Sequence, residues 1–416
     1  MSTLDRRIAG VPHGGLRGVF DRIRGIAAVG ASVPVVGRDD RLDMFRGIAL
    51  VMIFINHVPG TIYENYTNRN FGFSDAAEAF VFMSGLAAGL AYSNRFRFMP
   101  LWLATSRVWA RARHLYFVHL AITLMCLGIF AAAALWFDRA EVLTKNNIAA
   151  LFSQPLSTMV GIPLLTHQLG YLNILPLYMI LLLVTPLVLV VGLRWPWQTF
   201  IASIAVWALA GQFRINLPNY PVAGGWFFNP FSWQILFVSG LLAGAAMKAG
   251  KTFFPYDSRL FAAAAAFLVF VVVWMKIPEV GAAGRQVLAW LREGGLPFYL
   301  TSFDKSFLAL PRLAHALALF YVLGSLGVMH TIARSAIAAP LRTLGRQGLA
   351  VFATGTVISM ALQAEKAGRE PDPLLDGLLL GTGLLVLWLL AWSLTRTVEI
   401  AASHRAANAA RTTTPP

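Results

Sequence analysis

The chain has 416 residues, of which 57% are hydrophobic and only 13% charged, and its mean hydropathy is +0.64. A soluble domain is normally about a quarter charged, so a water-soluble enzyme is excluded, as is a disordered chain. The formal net charge of +15 would suit nucleic acid, so the position of that charge has to be decided first.

A membrane-crossing helix needs about 20 mostly apolar residues. In chain order the candidate windows are roughly 42–62, 76–93, 113–137, 170–192, 198–213, 231–248, 259–277, 313–330, 348–364 and 374–395, the fifth being short. The expectation is an all-α fold: a polytopic membrane helix bundle of about 10 transmembrane helices. Residues 1–38 are rich in Gly, Arg and Ala and lack the apolar core and cleavage pattern of a signal peptide. They read as a flexible basic cytoplasmic tail resting on anionic lipid. Residues 397–416 read as a second cytoplasmic tail, which leaves 39–396 as the membrane domain.

With the N-terminus in the cytoplasm, 23 of the 34 Lys and Arg fall on that side with 7 of the 19 acidic residues, giving +16 there and −1 outside. That is the positive-inside bias. Both termini are then cytoplasmic, and the basic excess needs no nucleic acid to explain it. The 94–113 segment is expected to be a cytoplasmic loop. The outer segments 60–75, 138–169, 214–230 and 277–312 carry most of the Asn, Pro, Trp and acidic residues. Cys126 is the single cysteine, and no Cys/His cluster has zinc spacing, so neither a disulfide framework nor a metal site is expected.

Ionisable residues inside a membrane are costly and usually functional. The first helix carries Arg41, Asp43 and Arg46 at its cytoplasmic mouth and Asn56-His57 about three turns deeper. At 100° per residue, His57 falls about 20° from Arg46 and about 40° from Asp43, so all three share a face, with roughly 16 Å between Arg46 and His57. An elongated anion such as an acyl-CoA arm, entering from the cytoplasm, fits that stripe. Histidine as a residue type titrates near neutrality and can take a hydroxyl proton as a general base. The plainer reading makes Arg41 and Arg46 flank charges, with Asp43 pairing Arg46.

Asp75 and Glu78 lie one turn apart before the second window. Asp-x-x-Glu ahead of an apolar run is a capping-box pattern; equally, one carboxylate can orient His57 as an acid does in a hydrolase triad. Further along come Asn173 and Tyr178 around Pro176, then Asn229-Pro-Phe-Ser-Trp233-Gln234, then Asp304-Lys305 with Arg312 and His315. These read either as aromatic belt and interfacial charge or as a sugar-binding surface. Gly240-Leu-Leu-Ala-Gly244 and Gly377-x-x-x-Gly381 fit small-residue helix packing. No phosphate-binding loop, dinucleotide fingerprint or serine elbow is present.

The stretch from Asp43-x-x-Arg46-Gly47 through Asn56-His57-x-Pro59-Gly60 to Gly72-Phe-Ser-Asp-Ala-Ala-Glu78-x-Phe80-Val-Phe-x-Ser84-Gly85 resembles the OpgC family. Asn229-Pro-Phe-x-Trp-Gln234, Asp304-Lys305 with Arg312 and His315, and Leu344-Gly345-Arg-Gln-Gly-Leu-Ala-Val-Phe352 extend the resemblance over about residues 39 to 395. That family comprises inner-membrane succinyltransferases of osmoregulated periplasmic glucans, close to the broad integral-membrane acyltransferases. The resemblance implies a bacterial inner-membrane location, a cytoplasmic acyl-CoA (succinyl-CoA) donor as co-substrate without a permanently bound cofactor, and a periplasmic glucan hydroxyl as acceptor. His57 matches the family's essential intramembrane histidine and Arg46 the arginine of Asp-x-x-Arg-Gly. One departure is Gln347-Gly348, where many relatives have Asn-Ser or His-Ser.

On this reading His57, Asp75, Glu78 and Asn56 are catalytic. Arg41, Asp43 and Arg46 hold the donor, and Asn173, Tyr178, Asn229, Trp233, Gln234, Asp304, Lys305, Arg312 and His315 meet the acceptor. Direct transfer and a sequential route through an acyl-histidine both remain open, as do the oligomeric state and any binding of glucan-synthesis proteins. The competing reading is a proton-coupled transporter or flippase that uses His57 and the carboxylates as a relay.

Overall fold

The computed structural model describes the backbone of residues 39–413 and the side chains of 39–404; the expected 1–38 tail lies outside the described residues. Among those residues the protein is all-helical, with one isolated bridge between Pro218 and Gly225. The helices are α1 (Asp40–Asn56), α2 (Ala76–Phe98), α3 (Leu101–Trp136), α4 (Ala149–Ser153), α5 (Pro155–Gly161), α6 (Ile174–Gly192), α7 (Pro196–Gln212) and α8 (Pro230–Lys248). They continue with α9 (Ser258–Lys276), α10 (Pro278–Glu293), α11 (Phe298–Thr301), α12 (Leu310–Ser325), α13 (Val328–Arg334), α14 (Ala339–Arg346), α15 (Gly348–Lys366) and α16 (Pro373–Thr413).

Each apolar window coincides with a helix. Seven of these helices are long and apolar enough to cross a membrane, or eight if α12 and α13, bent by 79° at Leu326-Gly327, form one span. The helices α1 and α7 have 17 residues each, fewer than the about 20 of a full crossing.

The structure corrects the sequence reading at one place and adds helix to it at another. The expected 94–113 loop is almost wholly helical: α2 runs to Phe98, Met99-Pro100 make the turn, and Arg107, Arg111 and Arg113 lie on the 36-residue α3. The expected 397–416 tail is helix through Thr413, because α16 runs 41 residues without a break. The physical reason is common to both. At 1.5 Å per residue these helices are far longer than the about 30 Å hydrocarbon layer, so a change from apolar to basic residues marks the edge of the membrane, not the end of the helix.

Two close seams set the geometry. Along α2 and α8, a Cβ on Gly85 would collide with the Phe237 carbonyl, and one on Gly240 or Gly244 would collide with the carbonyls of Phe82 or Leu86. Bare backbones therefore meet, the packing expected of the Gly240-x-x-x-Gly244 pattern. These two helices form the centre of the bundle, whereas α9 is buried over only about a tenth of its most apolar stretch and faces outward with Val269 and Phe270. The second seam joins α1 to α14: a Cβ on Gly47 would strike the Leu341 carbonyl, and one on Gly345 the Asp43 carbonyl.

Candidate active site

The first helix ends at Asn56, and the His57 amide still closes onto the Ile53 carbonyl at 2.9 Å. The freed His57 carbonyl accepts from Gln363 Nε2 at 2.5 Å, and Gln363 Oε1 in turn accepts from Asn146 Nδ2 at 2.9 Å. Its ring packs against that of Tyr171, 4.9 Å between centroids at 59°. Tyr171 holds a φ of 68°, a left-handed conformation that is strained for a bulky aromatic and is kept only where surrounding contacts impose it. Asn56 Oδ1 accepts from the Thr67 hydroxyl at 2.9 Å, so its NH2 is the group it can offer as donor.

The chain then returns to α2, where the capping box is formed: Asp75 Oδ1 accepts from the Ala77 amide at 2.8 Å and Glu78 Oε2 from the Asp75 amide at 2.9 Å. The remaining oxygens bind cations from distant sequence. Lys305 Nζ meets Asp75 Oδ2 at 2.5 Å, and Arg312 reaches Asp75 Oδ2 at 3.2 Å and Glu78 Oε1 at 2.5 Å. Burial pushes the Asp75 carboxyl up, but Lys305 and Arg312 outweigh it and hold the group well below the usual carboxylate range. The four charges balance. The capping-box expectation for Asp75 and Glu78 is met, and the pair also anchors a charge cluster, but neither carboxylate hydrogen-bonds His57. Asp75 and Lys305 act on the imidazole only through space.

These groups line a cavity of about 760 Å³ that opens to the outside of the bundle. Its walls hold His57, Asn56, Asp75, Asn173, Lys305 and Arg312 from the sequence-derived set. Aromatic rings supply much of the rest, with Phe73, Trp274 and Phe303 in mutual contact at 4.8–6.0 Å.

Other sequence-derived residues support this wall from behind. Asn229 caps α8 and donates to the Ile215 carbonyl at 2.7 Å; Trp233, fully buried, donates to the Lys305 carbonyl at 2.9 Å and so fixes that loop. Gln234 pairs with Ser203 at 2.6 Å, and Asp304 accepts from the Phe307 amide at 2.7 Å. His315 accepts the Ser74 amide at 3.3 Å on Nδ1, with the Ser74 hydroxyl 2.7 Å from the same atom. Because an amide can only donate, Nδ1 is the acceptor and the ring proton sits on Nε2. A Cβ on Gly72 would collide with that ring, so the Gly72–Ser74 turn is moulded on His315. Tyr178 does not line the cavity; it packs beside Phe237 at 6.0 Å, within electrostatic reach of Arg111 and Arg46.

Sequence reasoning missed Arg69, Tyr171, Trp274, Arg285 and Gln363. Their segments look like ordinary loop or helix, and no local spacing ties them to His57.

At the other end of α1, Arg46 lies 3.7 Å from Asp43 and donates to the Gly345 carbonyl at 3.3 Å. Arg346 approaches Asp43 at 3.6 Å and Asp40 at 3.7 Å, and Arg342 approaches Asp40 at 3.9 Å. Arg41 donates to the Gly324 carbonyl at 3.4 Å. Three arginines, Arg46, Arg342 and Arg346, thus meet two aspartates. Gly348 belongs to the same arrangement: a Cβ there would press on Arg46 Cδ at 3.0 Å, so the Gln347-Gly348 departure makes room for the Arg46 arm.

The architecture defines a multi-pass membrane protein with a histidine-bearing cavity at one end and an arginine-rich mouth at the other. The family model described as OpgC protein matches residues 38–399, and the chain belongs to the OpgC family, whose members are glucan-modifying acyltransferases of bacteria. No curated protein matches the sequence.

Proposed function

We propose that this protein is an inner-membrane O-acyltransferase that moves a succinyl group from acyl-CoA on the cytoplasmic side to hydroxyls of a periplasmic glucan. The observation that carries the reading is the placement of His57. Its ring has no side-chain hydrogen bond among the described residues, it lines the cavity, and one helix joins it to the Arg46 mouth roughly 16 Å away. A general base must have a free acceptor nitrogen facing the proton it removes, and His57 meets that condition where His315, with Nδ1 committed to Ser74, does not.

The Lys and Arg bias assigns the arginine mouth to the cytoplasm, where Arg41 and Arg46, with Arg342 and Arg346, offer a phosphate anchor. The cavity then faces the periplasm and receives the glucan, whose rings suit the Phe73–Trp274–Phe303 surface. Transfer breaks the thioester C–S bond and forms an ester C–O bond. The hydroxyl proton passes to His57 and leaves with the CoA thiolate, so no further reactant is required. Asp75, held as a carboxylate, offsets through space part of the opposing charge of Lys305 on the imidazolium, and the Asn56 NH2 stands ready for the developing oxyanion.

The test is purified protein in nanodiscs with succinyl-CoA and a neutral β-glucan, followed by glucan mass. A succinyl mass gain in the parent and none in His57→Ala supports the reading. Full activity in His57→Ala removes His57 from the chemistry. Absence of acylation by well-folded parent with either succinyl-CoA or acetyl-CoA overturns the enzyme.

A further inference from the structure

The charges around the cavity do not cancel. Four cations line it: Arg69, Arg285, Lys305 and Arg312. Arg69 is held by Glu64 at 3.0 Å, while Lys305 and Arg312 are shared between Asp75 and Glu78. Arg285 makes no ion pair among the described residues and is solvent-exposed at the cavity wall. One surplus positive charge therefore faces the space into which His57 opens.

Arg285 is not a stray surface residue. It lies on α10, an amphipathic helix that follows α9 with only Ile277 between them. Two small residues seat α10 on Trp274: a Cβ on Gly284 would collide with the indole, and one on Gly281 would sit 2.8 Å from the Trp274 carbonyl and 3.2 Å from Arg285 Nη1. The guanidinium thus folds back along its own helix beside Gly281, toward the cavity. Trp274 in turn meets Phe73 edge to face at 5.4 Å, and Phe73 precedes the Ser74 that His315 holds. A rigid chain of contacts ties the surplus charge to the wall of the reaction space.

We propose that Arg285 binds the free carboxylate of the acyl group being transferred, so that the cavity selects a dicarboxylic monothioester over a neutral acyl chain. The inference rests on the acyltransferase reading above. A succinyl group attached at its carbonyl carries a carboxylate at its far end, and an arginine binds a carboxylate through two parallel hydrogen bonds. Any negative charge entering this space also meets the cavity's net positive field. The neutral acceptor sugar does not need that charge. A butyryl chain has the length of succinyl without its carboxylate, so it isolates the contribution of Arg285.

The experiment compares succinyl-CoA with butyryl-CoA on a neutral β-glucan, in nanodiscs, for the parent, Arg285→Gln and Arg285→Lys. The quantity read is the ratio of kcat/KM for the two donors. The expected result is a parent ratio well above one that falls about tenfold or more in Arg285→Gln and recovers in part in Arg285→Lys. An unchanged ratio overturns the assignment, and so does equal loss on both donors, which would place Arg285 on the acceptor or in the fold. If the parent acylates the glucan with neither donor, the acyltransferase reading fails instead, and the two failures are distinct.

Discussion

The two ends of α1 use the same ingredients to opposite effect. At the Arg46 end, Asp40 and Asp43 are enclosed by Arg46, Arg342 and Arg346, and the helix is pressed backbone to backbone on α14 through Gly47 and Gly345. At the His57 end the helix stops, the His57 carbonyl is held by the Gln363 side chain, and the imidazole opens into about 760 Å³ of space. The difference teaches that a charged or titratable residue becomes available to a ligand where packing leaves volume, not where the sequence merely places it. At the Arg46 end the guanidiniums are fixed in place but still partly exposed, at 16–33% of their side-chain surface, so an anion can meet them without rearrangement, whereas the His57 end is open volume.

The sharpest way to break this contrast is His57→Ala. General acid–base groups contribute about 10²–10⁴-fold, so glucan acylation should fall by that order while helix content by circular dichroism stays put. Next comes Arg312→Leu. It leaves the fully buried Glu78 carboxylate without its cation, and stranding a buried charge costs about 3–5 kcal/mol; the thermal midpoint in detergent should drop steeply, with the double variant Arg312→Leu/Glu78→Leu recovering much of it.

A weaker blow falls on the closed end. Gly345→Ala forces a methyl onto the Asp43 carbonyl, and overpacking typically costs about 1–3 kcal/mol. Stability should fall by that amount, read as a shift in thermal midpoint; an unshifted midpoint would mean that the seam is not tight. Smallest is the effect of pH on Asp75. Its folded-state carboxyl titrates below its unfolded value, so the stabilisation it supplies is complete above the ordinary carboxylate range and lost only as pH falls through the lower, folded value. Thermal midpoints should therefore show no Asp75-dependent change between pH 8 and 5 and a loss only in stronger acid, a loss missing from Asp75→Asn.

Much of this was legible in the chain. Apolar windows located the helices because a bilayer demands about 20 such residues whatever their neighbours, and His57 stood out because a histidine at the end of an apolar run has few ordinary uses. The capping box at Asp75-x-x-Glu78 and the packing at Gly240-x-x-x-Gly244 were also readable, since both depend on residues a turn apart. Arg107 and Arg111 misled as loop residues because a helix can carry charge beyond the hydrocarbon without breaking. Asn229, Trp233 and Gln234 stood out as a sugar surface, whereas the structure puts Trp233 to use in holding the Lys305 carbonyl.

By itself, then, the sequence determined the all-helical membrane class, which follows from composition, and it carried the motifs by which the family is met, with His57 among them. Tertiary structure alone decided that Lys305 and Arg312, more than 200 residues away, neutralise Asp75 and Glu78, and that Arg285, among the described residues lining the cavity, is left without an acidic partner. Ion pairing is set by distance in space, and nothing in the order of residues along the chain says which charges will be spent on each other.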